Sequence, residues 1–306
     1  MHSNGNNFNW NPARSDSVNQ IVHDVSKDMR RIRPLMDPPY GQWKDYVGSI
    51  PGHKLNPVIL GSPLSIEPNQ NLSPVKIWCE FRLREEQFDD EDTVNTLAVE
   101  AAYRVAQAED AVILLGAQAE AFLAGLNVQR EQLDKQEGLF QANPPPLDEP
   151  RDRPQYITES IIQGIKELQR KGRYDRYAAI VDLELYEEAI RPRQRAFDAQ
   201  IYEIRLLLGE DRFLYCPAAP RRSGVIFSLS GDGIKLAVPL DAMVQMVEEK
   251  RDVTLRVVEQ IRLLVDVPEA VVALANPLPP GGSPAPVAPG ANPSTRNRSA
   301  RNRRAG

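Results

Sequence analysis

The segment FRLREEQFDDEDTVNTLAVEAAYRVAQAEDAVILLGA, residues 81–117, predicts a strand, an acidic turn and a long helix in immediate succession. Apolar residues alternate with polar ones from Val75 to Leu83, which is the pattern of a strand with one buried face. Four acidic residues at 89–92 precede an alanine-rich run, and acidic groups suit the positive end of a helix dipole. We expect this helix to run from residue 92 to about residue 125, with a bend at Gly116.

The residues before this segment predict a helix and an extended arm. Apolar residues recur at helical spacing over residues 15–36, where Asp16 or Ser17 can cap the start and Pro34 can end the helix. Residues 37–73 are rich in proline, glycine and asparagine and show no sustained period, so they read as extended chain.

The residues after this segment predict a mixed half without regular strand–helix alternation. A charged, proline-rich linker at 129–154 comes first. Helices are expected at 159–170 and 183–190, a buried strand at 177–181, and either a strand or a helix at 199–208. A hairpin is expected from strands 225–229 and 234–238, whose turn is Ser230-Gly231-Asp232-Gly233. Strands at 253–267 and 271–274 follow, separated by a turn at Pro268. The fold class is therefore α+β.

Composition and charge exclude several classes of protein. The 306 residues are 42% hydrophobic and 26% charged, as in soluble globular proteins, and we expect neither a secretory signal nor a membrane span. Two cysteines exclude a disulfide framework and suit a reducing cytoplasm. Residues 276–306 carry five arginines and no acidic residue, so the whole-chain charge of −5 leaves −10 on the residues before them. An acidic body argues against a surface that wraps nucleic acid.

The sequence shows no catalytic or metal-binding constellation. Its three histidines all lie within the first 53 residues, and no hydrolase, metalloprotease or phosphate-loop spacing occurs. Cys79 lies on the apolar face of a strand, which favours a core residue over a nucleophile. Glu109 and Asp110 point about 100° apart on a helix, so we expect capping or pairing with a basic residue and no acid–base role.

The opening segment resembles the signature of the encapsulin shell proteins, in which a strand and an acidic turn lead into a long helix. The helix here carries Ala102, Ala106, Glu109, Asp110, Ile113 and Gly116, and Leu114 stands where that family has an aromatic residue. Three other segments resemble the family in the same order: PYGQWKDYVGSIPG at 39–52, GRYDRYAAIVDLELYEEAI at 172–190, and 231–274 with its Pro268-Glu269-Ala270 ending. Val238-Pro239-Leu240-Asp241 departs from the family's Gly-Gln-Asp-Leu block.

The resemblance implies the tailed-phage major-capsid fold of the Hong Kong phage type, an α+β fold. Its expected parts are a disordered N-terminus at 1–14, a luminal N-terminal helix at 15–36, the extended arm and first peripheral strand at 37–84, the spine helix and linker of the peripheral domain at 85–155, the axial domain at 156–262, a peripheral return strand at 263–275, and a disordered tail at 276–306.

The resemblance also implies two candidate sites. The apolar stripe of the first helix would dock the targeting peptide of a cargo protein, although such a stripe can also be plain core: Val18, Ile21, Val22, Val25 and Met29. A basic loop would line the fivefold pore and favour small anions, although it can also be an ordinary solvated loop: Arg191, Arg193 and Arg195. The flavin site of some encapsulins is not carried over to Trp43 or Trp78, so we expect no cofactor and no metal.

The implied function is structural: a cytoplasmic shell protein, not an enzyme, that self-assembles into an icosahedral nanocompartment around a cargo enzyme. Icosahedral symmetry would require about 60 copies or a multiple of that number. The alternative is a phage or prophage major capsid protein that encloses DNA. We expect no membrane partner, and nucleic acid could be contacted only through the arginine-rich tail.

Overall fold

The computed structural model describes residues 10–36, 43–44, 53–55, 66–68, 72–142, 156–192, 199–229, 233–249 and 252–274. The helices are α1 (Pro12–Met29), α2 (Arg33–Met36), α3 (Glu85–Asp89), α4 (Glu91–Leu115), α5 (Arg130–Leu133), α6 (Ile157–Arg170), α7 (Leu183–Ile190) and α8 (Gln200–Leu208). The strands are β1 (Trp43–Lys44), β2 (His53–Leu55), β3 (Ile66–Pro68), β4 (Val75–Arg84), β5 (Asn127–Val128), β6 (Tyr177–Val181), β7 (Phe213–Tyr215), β8 (Gly224–Ser228), β9 (Ile234–Glu249), β10 (Asp252–Val265) and β11 (Val271–Ala273). Short 3₁₀ helices cover Gly116–Phe122 and Pro268–Ala270.

A five-stranded sheet of order β1-β9-β10-β4-β5 forms the first layer. β9 and β10 make a long antiparallel hairpin, and β4 pairs antiparallel with β10 along its whole length. The buried side chains of β4 alternate with more exposed ones, as the sequence predicted, and face the core beneath α4. None of the helices in the described part of the chain has both the length and the apolar character that a membrane span needs.

The long helix α4 starts where the acidic residues predicted but ends sooner. The Asp90 side chain caps it by accepting a hydrogen bond from the Asp92 N–H. At the other end Gly116 has a φ of +54°, which stops the α-helix and starts the 3₁₀ helix. The expected continuation to about residue 125 was therefore wrong, whereas the bend at Gly116 is confirmed.

A four-stranded sheet of order β11-β8-β6-β7 forms the second layer. Every residue of β6 and β8 is buried, and side chains of α6, α7 and α8 share their apolar core. α6 and α7 match the predicted helices, and Gln200–Leu208, which the sequence left undecided, is a helix.

The expected hairpin between the strands at 225–229 and 234–238 was wrong. β8 pairs with β6 and β11 in the second sheet, whereas β9 pairs with β10 and β1 in the first. Because each strand finds its partners in a different layer, the two strands do not pair with each other.

The expected division of the C-terminal part also differs from the strand pairing. β9 and most of β10, placed within the axial domain at 156–262, lie in the first sheet, where β9 pairs with β10 and β10 pairs with β4. β11, placed with the peripheral return strand at 263–275, pairs with β8 of the second sheet. The cause is the length of β10. Its residues 252–261 pair without interruption with β4, although the sequence assigned them to the axial domain.

The N-terminal region forms two helices where the sequence predicted one at 15–36. α1 begins earlier than expected, at Pro12, and its cap is Asn11, whose side chain accepts a 2.9 Å hydrogen bond from the Arg14 N–H. α1 ends at Met29 because Arg30 is extended, and Pro34 lies inside α2 rather than ending a helix. Residues 10–14, expected to be disordered, are thus part of the fold.

Three expected segments lie partly outside the described residues, and the expected tail lies outside them entirely. Of the arm, β1 pairs in parallel with β9, and β2 pairs antiparallel with β3. Most other residues of 37–73, the residues before 10 and the tail from 275 are outside the description, as are 143–155 of the linker.

Replacing Gly116 with alanine should destabilise the protein more than a left-handed backbone alone explains. A Cβ at Gly116 would lie 2.3 Å from the Gln136 carbonyl oxygen and 2.5 Å from the Gly138 nitrogen, so backbone would have to move. We expect a loss of about 3 kcal/mol in unfolding free energy, read as a lowered melting temperature.

Gly172→Ala is the matched control for this substitution. Gly172 also has a positive φ, of +81°, but a Cβ there meets nothing within 4 Å. It should therefore lose only about 1 kcal/mol. Equal melting temperatures for the two variants would show that close packing at Gly116 does not matter.

Candidate functional site: the elbow cluster and the helix seam

The turn between α1 and α2, residues 30–33, which we call the elbow, carries a buried arginine that binds three carboxylates. Arg30 Nε lies 2.5 Å from Glu109 Oε2. Its Nη2 lies 2.6 Å from Glu259 Oε1 and 2.8 Å from Asp241 Oδ1. The side chain is 3% exposed, so these carboxylates replace almost all of the water around the guanidinium.

Arg33 binds the same three carboxylates from the other end of the elbow. Its Nε donates to Glu109 Oε1 at 2.7 Å, its Nη1 donates to Asp241 Oδ1 at 2.8 Å, and its Nη2 donates to Glu259. Two guanidinium groups and three carboxylates thus form one network, which we call the elbow cluster: Arg30, Arg33, Glu109, Asp241 and Glu259. It fastens the elbow to α4, β9 and β10.

The electrostatics of the elbow cluster follow from burial and from the charge balance. Burial alone would lower the pKa of both arginines, but the nearby carboxylates outweigh it and raise the pKa of Arg30 and Arg33. Burial, with Glu109 close by, raises the pKa of Glu259 well above its usual range. Asp241 reaches the surface, and Arg30 and Arg33 overcome the effect of its burial and lower its pKa.

Asp110 holds the elbow by its backbone. Its carboxylate accepts hydrogen bonds from the N–H groups of Arg31, at 3.0 Å, and Ile32, at 3.1 Å. Burial, together with the adjacent Glu109, raises the pKa of Asp110 to about 7. The Arg31 guanidinium lies over the Tyr215 ring, 4.3 Å from its centroid, and so joins the elbow to the second sheet.

The predicted structural role of Glu109 and Asp110 is confirmed. Glu109 pairs with arginines, and Asp110 caps the backbone between α1 and α2. The sequence reasoning missed the partners. Arg30 and Arg33 are three residues apart beside a proline, and Glu259 interrupts an apolar strand. A charged residue inside a predicted buried strand is the signal that could have indicated a buried partner.

The structure divides the predicted cargo stripe of α1. Val18 and Val22 are 2% and 0% exposed within a core shared with α4 and the first sheet. Their own chain covers both side chains, so neither lies on the surface of the subunit. Ile21 and Val25 are half-buried, and Met29 is 38% exposed, so these three remain available at the surface.

An apolar seam runs where α1 and α4 lie side by side and parallel. Ser17 and Val18 line one small cavity together with Asn95 of α4, and Arg31 meets Asp110 at the far end. In both places, the residue near α1 and its neighbour on α4 are 77–79 positions apart in the sequence. A spacing within this range also separates Ile21 from Val99 and Val25 from Tyr103. Each of these two pairs therefore lies at the same level of the parallel helices.

Val99 and Tyr103 of α4 leave 37% and 40% of their area exposed, at the level of Ile21 and Val25 on α1. We call this surface the seam, and its residues are Ile21, Val25, Met29, Val99 and Tyr103. The sequence reasoning missed its two α4 members because it followed the stripe of one helix only.

The predicted pore arginines are only partly within the description. Arg191 follows α7 directly, is exposed, and lies 3.1 Å from Glu187 Oε2 one turn earlier. Arg193 and Arg195 lie outside the described residues.

The groups that most often carry chemistry are buried or dispersed. Burial raises the pKa of the Cys79 thiol, and burial with Asp110 nearby raises that of Cys216 to about 12, so both resist forming the reactive thiolate. His23 is half-exposed, and its Nδ1 lies 3.5 Å from Asp241 Oδ2. Within the described ranges, no three histidine, cysteine or carboxylate side chains are placed so that they could hold a metal ion.

Comparison with known proteins yields one family and one fold. Residues 65–262 match the family model Linocin_M18, described as encapsulating protein for peroxidase. The chain is similar to the virus-like particle from Pyrococcus furiosus, with a TM-score of 0.59, 13% identity, and coverage of 85% of this chain and 98% of that one. No curated protein sequence matches significantly.

Two further solved structures share the fold. A chain from Gordonia phage Cozz has a TM-score of 0.53 at 13% identity, covering 80% of this chain and 85% of that one. The SrpI encapsulin complex from Synechococcus elongatus has a TM-score of 0.51 at 10% identity, covering 77% and 85%. The predicted α+β major-capsid fold is therefore confirmed, as is the resemblance to encapsulins.

Proposed function

Because this chain belongs to the family of encapsulating shell proteins, we propose that it is a structural subunit that assembles with copies of itself into a closed icosahedral shell around a cargo protein. The observation that carries the proposal is the family match over residues 65–262, which includes the whole of α4 and the paired residues of β4 and β10. The family is one of shell proteins and not of enzymes. Free cysteines suit assembly in a reducing cytoplasm.

The short strands of the arm support assembly as the source of its stability. β2 and β3 pair over three residues only, and an isolated two-stranded ribbon is marginal in water. Pairing with a neighbouring subunit would give such a ribbon further hydrogen bonds and apolar burial. Subunits that make several standard interfaces, each of roughly 1,600 Å², would form a durable shell.

Electron microscopy and size-exclusion chromatography of the purified full chain test this proposal. We expect closed particles of uniform diameter, with a cargo protein that copurifies from the native host. Compact single subunits at every concentration would contradict assembly. Particles filled with DNA, seen as a nuclease-resistant absorbance at 260 nm, would instead favour the alternative of a phage-type capsid.

The seam supports a site for the targeting peptide of the cargo. It offers five apolar or aromatic side chains, each half-buried or more exposed, along two parallel helices: Ile21, Val25, Met29, Val99 and Tyr103. An apolar peptide laid along this groove would bury these side chains against its own. The dock expected on α1 alone becomes, in this proposal, a groove shared with α4.

Tyr103→Asp should empty the shells of cargo without preventing assembly. The charge would be placed in the middle of the seam, so we expect cargo occupancy to fall by about tenfold or more, because burying an unpaired charge is costly. The cargo-to-shell ratio of purified particles, measured by gel densitometry, reports the loss.

Gln107→Asp is the matched control for this test. It adds the same charge one turn further along α4, at an exposed position that is not one of the seam residues. It should leave loading unchanged. Undiminished loading of the Tyr103→Asp shells would place the cargo site elsewhere.

The basic loop that follows α7 supports a proposed pore lined by Arg191, Arg193 and Arg195. Rings of arginine at a symmetry axis would attract small anions. The ion pair of Arg191 with Glu187 partly offsets its charge, so most of the field would come from the other two positions.

Reversing all three arginines to glutamate should slow anion entry into otherwise intact shells. Stopped-flow quenching of an encapsulated fluorophore by iodide would measure influx, with an uncharged quencher as the control. Iodide influx equal to that of the unmodified shell would remove the proposed selectivity.

A further inference from the structure

The elbow gathers more carboxylates than buried cations. The described charged and titratable groups that face it are His23, Arg30, Arg31 and Arg33 from the N-terminal helices and the turn between them, Glu109 and Asp110 from α4, Asp241 from β9, Glu259 from β10, Tyr215 at the end of β7, and Cys216 directly after it. Four of these are carboxylates, whereas only Arg30 and Arg33 are buried guanidinium groups.

This imbalance cannot be relieved by water. Glu109 and Glu259 are fully buried and Asp110 is 4% exposed, whereas Asp241 and His23 reach the surface. Arg31 is itself exposed, and it approaches from the side of Tyr215 rather than entering the elbow cluster. If all four carboxyl groups ionise, the closed elbow holds net negative charge in a low-dielectric interior.

We propose that the elbow is a pH-sensitive latch, closed while Asp110 or Glu259 keeps a proton and loosened as these protons are lost. Glu259 shares its two arginines with Glu109 and Asp241, and Asp110 adjoins Glu109 on α4. A proton on either carboxyl removes one negative charge from the crowded site without breaking the guanidinium contacts of the others.

The direction of the effect follows from the pKa of each group in the closed and open states. The pKa of Asp110 is about 7 in the closed elbow and would return to its ordinary acidic value in water, so opening releases a proton. Opening is then favoured as pH rises, by up to tenfold per pH unit between about 4 and 7. The raised pKa of Glu259 acts in the same direction.

The remaining titratable groups do not reverse this direction near neutral pH. The pKa of Asp241 is lowered, so its contribution changes only in strong acid. His23 Nδ1 lies 3.5 Å from Asp241 Oδ2 at the exposed side of the cluster. An opened elbow would free the end of α1, including Met29 of the seam.

Hydrogen exchange read by mass spectrometry on the assembled full chain tests the latch. The measurement follows a peptide spanning residues 26–36 between pH 5 and 8, with rates corrected for intrinsic exchange. We expect its protection to fall up to tenfold per pH unit between pH 5 and 7. A peptide covering β6, which lies in the second sheet, should keep its protection and show that the rest of the subunit stays folded.

Three variants separate the latch from general destabilisation. Glu259→Gln and Asp110→Asn keep each position neutral, so each should flatten the pH dependence of the 26–36 peptide. Glu100→Gln is the matched control on α4, because Glu100 forms an exposed 2.8 Å pair with Arg104 and should leave the slope unchanged.

A wild-type protection that does not vary between pH 5 and 8 would overturn the latch, and this outcome needs no variant to fold. Slopes equal to wild type in both neutral variants would overturn it as well. The latch does not depend on the proposed shell, because particle diameter at each pH reports assembly separately from the exchange of the elbow.

Discussion

The structure depends on the burial of two arginines that share the same three carboxylates. Arg30 and Arg33 reach Glu109 on the long helix and Asp241 and Glu259 on the long hairpin, so three distant segments meet at one turn. Ion pairs of this kind add little net stability, because desolvation offsets most of the attraction. Removing one member, however, leaves an unpaired buried charge, and only one arrangement of the N-terminal helices satisfies all members.

The same principle accounts for how both ends of the arm are held. The elbow precedes the arm in the sequence. Arg262 of β10 contacts Ser73, the residue at which the arm ends. Arg262 donates to the carbonyl oxygens of Ser73, Gln132 and Lys135, and its burial lowers its pKa to about 10. A guanidinium that spans three carbonyls fixes backbone position in a way that a lysine cannot. Rigid ends would aim the arm at a neighbouring subunit.

The sequence predicted local structure well and long-range pairing poorly. β4, α7 and the start of α4 followed from alternation and helical spacing alone, since those signals lie within a few residues. The hairpin across residues 230–233 failed because its glycines suit a turn equally well whether the flanking strands pair together or separate into two sheets. Glu109 and Asp110 were recognised as structural, but their partners lie 76 to 79 residues away, where no local pattern can point.

The candidate site shows the same contrast between local structure, which the sequence predicted, and long-range packing, which it did not. Spacing identified the α1 stripe, but burial depends on which neighbours cover it, and only the packing of α4 shows that Val22 is core while Val25 is half-exposed. The seam and the elbow occupy the same pair of parallel helices, one at mid-length and the other at the end. A groove between two helices keeps its width only while their ends are fixed, so the buried charges at the elbow set the geometry of the apolar surface beside it. The buried charges at the end of the two helices and the apolar seam along their middle are thus two parts of a single helix contact.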